Sequence, residues 1–445
     1  MRRRLTRRIA VTANGRGGDA RSAERVAFVG PVPPTPTGIA TYDRAVLDGL
    51  ARIGAAARHP IDVLWPVEPR HMSSIRTYRL GVYQLGNNVD HHLDIYRLAW
   101  QYPGLVVLHD LALDDFVRGL QSSADMLGFV AMREALEARD LLRSSDALGN
   151  PPLRVPWVAA IARHARGIIV HAEFCRRYLE ELGCRTPTFV VPHPPVEEPA
   201  AIAAAGERGR QLRAEESAHG ARALIVAAGD LNEAKCLDGV MAAAGRLDPD
   251  VHLVLVGRTV ETYDVGPAIR AAGLGGRLHL HADIDDATFL GWLAAADVVV
   301  DLRFPHRGEV SGTLARAMQI GRPTVVSATG TYLDAPGDTV VTIAAGPPDI
   351  EELASTIGEL LADDQRRRRM GNAARAHMDQ LRATEATAHG YAEAIETTAR
   401  LVHDPVGAPM ARWARSLVEI GVTEDGLRRG WGGRYARALE SFRTP

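Results

Sequence analysis

Cysteine is scarce in this chain, and the few cysteines follow no ligand spacing. Cys175, Cys184 and Cys236 are scattered, and no CxxC pair occurs among them. We therefore expect neither a disulfide framework nor a zinc site, and the pattern is typical of a reduced, cytoplasmic protein.

Long hydrophobic runs and an excess of charge of one sign are missing as well. No segment approaches the roughly 18 apolar residues of a membrane-spanning helix, so we expect no transmembrane segment. The basic start of the chain, MRRRLTRR, is followed by no apolar stretch, which argues against a signal peptide and predicts a disordered basic tail over residues 1–24. A formal charge of −2 gives no reason to expect nucleic acid or an anionic membrane as a partner.

Lysine is almost absent. Lysine and arginine together number 52, and only one of these residues, Lys235, is lysine. The excess of alanine, glycine and arginine suggests a GC-rich genome in which lysine drifts to arginine wherever either residue serves. A lysine kept against that drift indicates a need for a compact ammonium rather than a planar guanidinium, although chance alone would also explain one survivor.

The pattern that is present alternates short apolar, β-branched runs with helical segments. Runs of this kind predict parallel strands that are buried on both faces. The predicted strands cover residues 25–30, 61–65, 82–86, 105–109, 167–171, 189–191, 223–229, 252–257, 277–281, 298–303, 323–327 and 340–344.

This alternation predicts an α/β fold with two Rossmann-like domains in tandem, as expected for 445 residues. A proline-rich break, PHPPVEEP, is followed by a stretch rich in alanine, arginine and glutamate. We predict a first domain over residues 25–200, a linker over 201–221, a second domain over 222–403 and closing helices over 404–445. Two such domains imply a ligand-binding cleft between them.

The first candidate site is the loop that follows the first predicted strand and contains Gly38. A glycine lets the backbone approach a ligand closely, and the start of the following helix offers N–H groups to an anion. A rigid turn, stiffened by its prolines, is an equally good interpretation of this loop.

The second candidate is the segment GDLNEAK, which follows a predicted strand and ends at Lys235. A glycine at a strand end and a lysine that enters a helix suit phosphate binding, although this is no Walker motif. The alternative is a surface lysine at a helix start. The helix dipole disfavours an idle cation there, so we favour a functional lysine.

The third candidate is the loop PHRGEVSGT after the strand predicted over residues 298–303. Ser311 is a plausible N-cap, and the amides of Gly312 and Thr313 would then point at an anion. Glu309 lies at the loop tip, where its carboxylate can accept hydrogen bonds from sugar hydroxyls. A solvated loop charge is the alternative.

The fourth candidate is His109 with Asp110, where the strand predicted over residues 105–109 ends. A histidine at the carboxyl end of a parallel strand faces the cleft more often than the core. The alternative is a buried histidine followed by an aspartate that caps the next helix. His171 and His193 also end strands, and packing between the domains explains them at least as well.

Taken in order, these segments resemble the GT-B glycosyltransferases, and most of all glycosyltransferase family 4. The resemblance rests on PVPPTPTGIATY, LHD, IIVHAEF, VPHP, GDLNEAK and RFPHRGEVSGTLARAMQIGRPTVVS, and it covers about residues 25–400. It implies a nucleotide-sugar donor held mainly by the second domain, retention at the anomeric carbon and no required metal. It also implies that the closing helices cross back onto the first domain.

The resemblance further implies roles for single residues. Lys235 would neutralise the leaving diphosphate, His109 would contact the donor sugar near the reacting carbon, and Glu309 would hold that sugar as the first acid of an E-x7-E element. The diphosphate site would also include Gly38, Ser311, Gly312 and Thr313, and the acceptor side would include Thr37, Ile39, Tyr42 and Asp110.

Two places depart from the family pattern. The second acid of E-x7-E falls on Arg316, which leaves ribose recognition without its usual carboxylate, and Glu309 lies seven residues before it rather than eight. The arginine that commonly precedes the lysine is absent, and we expect Asn232 of this segment and Arg316 to lie beside the donor nucleotide or sugar. We expect Arg258 or Arg303 to supply that charge to the donor.

The sequence thus predicts a metal-independent, retaining hexosyltransferase that uses a UDP- or GDP-sugar, with no further cofactor, in a bacterial pathway such as specialised metabolism. The acceptor is a small molecule or a glycan. The alternatives are a catalytically degenerate GT-B partner or regulatory protein, suggested by the missing acid, and a sugar-nucleotide epimerase, whose motif order fits less well. The oligomeric state stays open, a homodimer included.

Overall fold

The computed structural model describes residues 25–122, 126–261 and 263–401, which fold into two parallel six-stranded sheets with helices around them. The α/β fold with two Rossmann-like domains is therefore confirmed. The predicted basic tail over residues 1–24 and the closing helices over 404–445 lie outside the described residues.

The first sheet is built from the first half of the chain. Its strands are β1 Val26–Val29, β2 Ile61–Val63, β3 Leu80–Leu85, β4 Leu105–Leu108, β5 Gly167–Val170 and β6 Thr188–Val190. They lie in the order β2-β1-β3-β4-β5-β6. The helices of this half are α1 Gly38–Arg52, α2 Ala55–Arg58, α3 Pro69–Ser74, α4 Val89–Gln101, α5 Asp114–Ser122, α6 Met126–Arg139, α7 Ser145–Gly149, α8 Ala159–His164 and α9 Glu173–Glu181.

The second sheet follows in the second half of the chain. Its strands are β7 Ala223–Ala228, β8 Val251–Gly257, β9 Leu278–Ala282, β10 Val298–Asp301, β11 Thr324–Ser327 and β12 Val340–Ile343. They lie in the order β12-β11-β10-β7-β8-β9. The helices are α10 Pro199–Ala218, α11 Leu237–Ala244, α12 Gly266–Ala272, α13 Asp286–Ala295, α14 Gly312–Ile320, α15 Ile350–Ala362, α16 Asp364–Ala383 and α17 Ala386–Arg400.

The central strands form because their residues are small or branched and apolar, which suits a position covered on both faces. Every residue of β7 and β8 is buried, and the two strands pair in register, with Val226 opposite Val254. All twelve predicted strands are confirmed, with ends within two residues of the prediction. Because each sheet is parallel, the carboxyl ends of its strands share one edge, where the loops after β1, β4, β7 and β10 emerge.

The stretch predicted as a linker, residues 201–221, lies mostly in α10. This helix packs so closely on α13 that a Cβ added to Gly209 would lie 2.8 Å from the backbone of Ala294. Ala205 and Leu212 on α10 are buried as well. The alanine- and arginine-rich composition that looked like a connection is that of a good helix former.

The last described helix, α17, crosses back onto the first sheet. Tyr391 and Ile395 are buried with Phe28 in the core beneath β1, and the Tyr391 hydroxyl lies 2.9 Å from that of Tyr42 on α1. Helix α17 therefore packs on the first domain, although the prediction placed residues up to 403 in the second domain. The amphipathic pattern of a helix shows that one face is buried but not which sheet covers it.

Candidate active site

Lys235 lies in a short 3₁₀ turn, Glu233–Lys235, and not at the start of a helix as predicted. Cys236 follows with a left-handed backbone, φ 53°, and α11 begins after it. The lysine side chain is 6% exposed, and its Nζ forms an ion pair with Asp301 at the carboxyl end of β10. Burial lowers the pKa of Lys235, and the carboxylate of Asp301 opposes that shift.

Asp301 is fully buried and is the centre of this cluster. Besides the lysine, its carboxylate accepts hydrogen bonds from the hydroxyls of Ser311 and Tyr332. Burial acts to raise the pKa of Asp301, but Lys235 and Arg303 hold it below its ordinary value. The aspartate is thus an anion that fixes the position of the only lysine in the chain.

The start of α14 faces the same cluster. Ser311 caps this helix as predicted, since its Oγ accepts a hydrogen bond of 3.2 Å from the amide of Leu314. Thr313 donates from its hydroxyl to the carbonyl of Ala228 at the end of β7, over 3.3 Å. The amides of Gly312 and Thr313 belong to the first turn, where a helix has no backbone acceptor of its own.

Gly229 lies between the lysine and α14 and cannot carry a side chain. Its φ is +117°, and an added Cβ would lie 2.9 Å from the hydroxyl of Thr313 and 3.0 Å from Nζ of Lys235. Glycine at this strand end, singled out from the sequence, is therefore what allows the two side chains to meet.

Glu309 is held by the second domain and does not extend freely into solvent. Its carboxylate is 2.9 Å from Arg303 and accepts a hydrogen bond of 2.6 Å from the amide of Arg307. Burial opposes the charge of Arg303, yet Glu309 raises the pKa of the guanidinium above its ordinary value. Arg303, which we expected to supply charge to the donor, therefore forms an ion pair with Glu309.

His109 follows β4 and is oriented by the neighbouring strand β3. Its Nε2 lies 2.9 Å from the side-chain oxygen of Gln84, and its ring meets the edge of Tyr42 at 4.8 Å. Burial and then the nearby His171 hold its pKa well below the ordinary value. A neutral imidazole that donates from Nε2 keeps Nδ1 as an acceptor.

Tyr42, predicted on the acceptor side, is 1% exposed and lies behind the histidines. His171 and His193 surround its ring at 5.0 and 5.2 Å, and α17 covers it on the other side. Tyr42 therefore supports His109 and does not reach an acceptor. Nothing in the local sequence shows that a helix from the end of the chain covers it.

Asp110 brings an acid of the first domain towards the second. It accepts a hydrogen bond of 2.9 Å from the amide of Asn87, which favours its charged form. Burial, followed by the nearby carboxylate of Glu309, nevertheless raises the pKa of Asp110 to about 7. A carboxyl group of the second domain thus lies close enough to raise the pKa of an acid of the first domain.

The loop before α1 lies opposite the end of β8. Thr37 caps α1 by accepting a hydrogen bond of 3.1 Å from Ala40, and Ile39 packs against Gly86. A Cβ added to Gly38 would meet nothing within 4 Å, so there is open space beside this glycine. Arg258 reaches from the end of β8 towards the carbonyl of Pro36, at 3.4 Å.

Of the remaining predicted donor residues, Asn232 lies beside Lys235 and its carbonyl accepts a hydrogen bond of 3.1 Å from the lysine amide, whereas Arg258 and Arg316 form ion pairs elsewhere. Arg258 forms an ion pair with Asp230, at 2.8 Å. Arg316 forms one with Glu197, at 2.7 Å, and lies over the ring of Phe289. The Oδ1 atom of Asn232 is buried and has no hydrogen-bond partner among the described residues.

The loop that carries Glu309 is docked on the first domain. The carbonyl of Arg307 accepts hydrogen bonds from the amides of Leu111 and Ala112, at 2.8 and 3.0 Å. The amide of His306 donates 2.9 Å to the side chain of Asn150, which in turn donates to the His306 carbonyl. Asn150 therefore takes part in the contact between the domains.

Three residues of this site were missed from the sequence: Asp301, Gln84 and Asn150. For Asp301 a signal existed, because it is an acid at the end of the apolar strand VVVD, the same signal that pointed to His109. Gln84 lies within a buried strand, and Asn150 acts only across the domain interface. Sequence position alone indicates neither contact.

Comparison with known proteins shows what the second domain is similar to. Residues 210–377 match the family model of the glycosyl transferases group 1. The match covers most of the second domain but less than half of the chain. The D-inositol 3-phosphate glycosyltransferase of Xylanimonas cellulosilytica is 30% identical over 158 residues, which make up 34% of this chain and 37% of that protein. The match thus spans little more than a third of the curated relative.

Solved structures extend the likeness to both domains. Sucrose-phosphate synthase from Thermosynechococcus elongatus aligns with a TM-score of 0.56 at 17% identity, over 89% of this chain and 100% of the other. HepE from Anabaena in complex with UDP aligns with a TM-score of 0.58 at 16% identity, over 84% and 100%. The fold of this chain is therefore the GT-B fold. Among its described helices, none is both long and apolar enough to cross a membrane.

Proposed function

We propose that this protein is a retaining glycosyltransferase that moves a sugar from a nucleotide diphosphate sugar to a small-molecule or glycan acceptor, without a metal at the diphosphate. The observation that carries the proposal is the Lys235–Asp301 ion pair beside the N-terminus of α14, at the edge of the second sheet. The group 1 match of the same domain supports a nucleotide-sugar donor.

The start of α14 is the place we assign to the donor diphosphate. The amides of Gly312 and Thr313, together with the helix dipole, favour an anion. An ammonium has three N–H groups, and Asp301 accepts from that of Lys235. The remaining N–H groups of Lys235 can reach diphosphate oxygens past Gly229, which has no side chain to block them.

Lys235 would act on the bond-breaking step. Negative charge develops on the leaving diphosphate, and a cation that is already in place stabilises that charge without reorganisation. Asp301 and its two hydroxyl partners provide the fixed position. This arrangement gives the buried aspartate a positioning role.

His109 and Glu309 are the groups we assign to the transferred sugar. The neutral imidazole, oriented by Gln84, can accept from one hydroxyl, and the carboxylate that Arg303 holds can accept from others. The acceptor would enter beside Gly38 and Asp110, on the face from which the diphosphate leaves, which corresponds to retention.

UDP is the nucleotide we assign first, because HepE, a protein of similar fold, is solved with UDP. Thermal unfolding in the presence of UDP, GDP and ADP tests this assignment. A bound nucleotide stabilises the protein by about 2.7 kcal/mol at a hundredfold excess over Kd. Stabilisation by UDP alone is the expected result, and no stabilisation by any of the three would favour a degenerate GT-B protein instead.

Donor hydrolysis tests the role of Lys235 itself. Lys235→Ala should hydrolyse the donor at least a hundredfold more slowly than the unchanged protein, because the leaving group loses its cation. Since this variant leaves Asp301 buried and unpaired, the double variant Lys235→Met, Asp301→Asn serves as the folded control. Equal hydrolysis rates in the unchanged protein and the double variant would remove Lys235 from the reaction.

A further inference from the structure

A cluster of metal-ligating side chains lies towards the amino ends of the strands of the second sheet, away from Lys235. Glu216 in the last turn of α10, His252 near the start of β8 and His279 near the start of β9 form a single group. Asp301 ends its strand, whereas His252 and His279 each stand second in theirs. Because the strands are parallel, Asp301 lies at their carboxyl ends and the two histidines lie towards their amino ends, so the two sites are on opposite sides of the sheet along the strand direction.

The pairing of β8 and β9 explains why the histidines meet. Val254 is opposite His279 in the register, and alternate residues of a strand share a face, so His252, Val254 and His279 lie on the same side of the sheet. This side packs under α10 and α13 and is otherwise apolar, with Val254 and Trp292 in its core. Polar groups on such a face need a partner.

The three candidate ligand atoms form a small triangle. Oε2 of Glu216 is 3.1 Å from Nε2 of His279 and 3.5 Å from Nδ1 of His252, and the two nitrogens are 3.2 Å apart. Zinc bound to nitrogen and oxygen at roughly 2.0–2.2 Å in a tetrahedron requires ligand atoms roughly 3.3 Å apart. The observed edges match that requirement without movement of the backbone.

Glu216 supplies a second and independent observation. It is 5% exposed, and its Oε2 accepts no hydrogen bond from the described residues, even though an imidazole nitrogen is 3.1 Å away. The contact has the distance of a hydrogen bond but not its direction. Nε2 of His279 and Nδ1 of His252 form a hydrogen bond of 3.2 Å with each other, and a metal ion bound to both nitrogens and to Oε2 of Glu216 would replace that hydrogen bond.

We propose that Glu216, His252 and His279 bind one divalent zinc ion, with water in the fourth position. Two imidazoles and a carboxylate are a ligand set that zinc accepts readily. The side chain of His279 is 23% exposed on the edge strand β9, which gives the ion and the water a route in.

The site would be structural and not part of glycosyl transfer. Its ligands join α10, the helix that connects the two domains, to β8 and to the edge strand of the sheet. An ion there would therefore fix the connecting helix to the second domain. The proposal does not depend on the proposed transferase activity, because neither Lys235 nor the start of α14 contributes to it.

Zinc content measured on untagged protein tests the site. Protein freed of metal with a chelator is mixed with a small excess of zinc chloride, desalted and analysed for zinc. We expect about one zinc per chain, and at least a tenfold lower content in Glu216→Gln and in His279→Ala. His389→Ala, which removes an exposed histidine, should keep the full content.

Two further measurements distinguish zinc bound at this site from zinc bound weakly at the surface, and a lost ligand from a lost fold. Cobalt in place of zinc should give the intense visible absorption of a tetrahedral site, and Glu216→Gln should abolish it while still binding nucleotide like the unchanged protein. Zinc should raise the midpoint of thermal unfolding in the unchanged protein only. Zinc content below a tenth of an equivalent, or equal content in Glu216→Gln, would overturn the proposal.

Discussion

Asp301 shows, at the scale of single residues, how a buried charge can serve a site. Its carboxylate accepts hydrogen bonds from Lys235, Ser311 and Tyr332, so its negative charge strengthens the contact with each of the three donors. Asp301→Asn keeps the shape but leaves a buried ammonium without a counter-charge. Removing one partner of a buried ion pair usually costs about 3–5 kcal/mol, and we expect a loss near about 3 kcal/mol in the free energy of unfolding.

Urea unfolding of Asp301→Asn, Lys235→Met and the double variant measures this coupling. The double variant should be more stable than the sum of the two single losses predicts, because neither charge is then left alone. Arg222→Ala breaks an exposed ion pair with Asp250 and should leave the unfolding midpoint unchanged. Strict additivity of the two buried substitutions would contradict the coupling.

Asp110 predicts a pH dependence of stability. Its pKa is about 7 in the folded protein, above the ordinary value near about 4, so the folded state binds the proton more tightly than the unfolded state. Stability from this group is therefore present at low pH and is lost as the pH rises from about 4 to about 7. At roughly 1.4 kcal/mol per pH unit, the loss between pH 5 and 8 amounts to about 2–3 kcal/mol.

Asp110→Asn should remove that loss because an amide does not ionise. Relative to the unchanged protein, the variant should gain about 2–3 kcal/mol of unfolding free energy between pH 5 and pH 8, measured by urea unfolding at both values. Glu309→Gln should shift the window to lower pH, since the Glu309 carboxylate contributes to the raised pKa of Asp110. A parallel pH dependence of Asp110→Asn and the unchanged protein would show that Asp110 ionises normally.

What could be predicted at this scale depended on local position. The N-cap Ser311 and the glycine at the end of β7 follow from their places beside a strand or a helix, and the structure has both as expected. The partner of Lys235 could not be predicted, because Asp301 lies 66 positions further along the chain. The burial of Tyr42 could not be predicted either, since the covering side chain, Tyr391, is 349 positions away.

Helix α10 gives the clearest prediction at the scale of single elements. Gly209 lies against the backbone of α13, whereas a Cβ on Gly206, one turn earlier, would meet only the tip of Arg210 at 3.9 Å. Gly209→Ala should therefore push the helices apart and cost about 1–3 kcal/mol. Gly206→Ala should stabilise the protein by about 0.5–1 kcal/mol, because alanine is the better helix former.

Thermal unfolding of these two variants of one helix is the measurement. Opposite shifts of the midpoint are expected, downward for Gly209→Ala and upward for Gly206→Ala. Two upward shifts would mean that helix propensity dominates and that the contact with α13 is loose, whereas a downward shift of Gly206→Ala would contradict the open space beside that glycine.

Strands were easier to predict than the places where elements pack. A run such as ALIVAA in β7 carries its own signal, because a strand covered on both faces must be apolar throughout. The sequence of α17 shows that one face of the helix is buried, but it does not show which sheet covers that face. The histidines of β8 and β9 could not be predicted as neighbours for a similar reason. The spacing of the cysteines indicated no zinc site, and only the register of the two strands brings His252 and His279 together.

At the scale of the whole molecule, the two sheets meet through the loop after β10. This loop carries Glu309, which we assign to the transferred sugar, and, two to three residues earlier, the backbone groups that dock on the first domain. Contact between the domains and placement of Glu309 therefore depend on the same segment. The proposed zinc site, at the far edge of the second sheet, stays outside this coupling.

Asn150 tests the coupling because its side chain crosses the domain interface. It accepts from the amide of His306 and donates to the carbonyl of the same residue, and both residues are buried. Loss of two buried hydrogen bonds costs about 2–3 kcal/mol. The ratio of molecules with the two domains in contact to molecules with the domains apart should then fall by roughly 30–150-fold. Asn150→Ala should therefore reduce kcat of sugar transfer strongly while leaving the Kd of UDP, bound by the second domain, nearly unchanged.

Three measurements on Asn150→Ala test this prediction. Steady-state kinetics gives kcat, calorimetry gives the Kd of UDP, and small-angle scattering should show a larger radius of gyration. Asp349→Ala provides the matched control, because it removes the cap of α15, a helix that packs on its own domain, at a cost of about 1 kcal/mol. That variant should lose stability but keep both kcat and the radius. If Asn150→Ala instead weakens UDP binding as much as it slows transfer, the loop acts within the donor site alone, and closure of the domains is not what aligns Glu309.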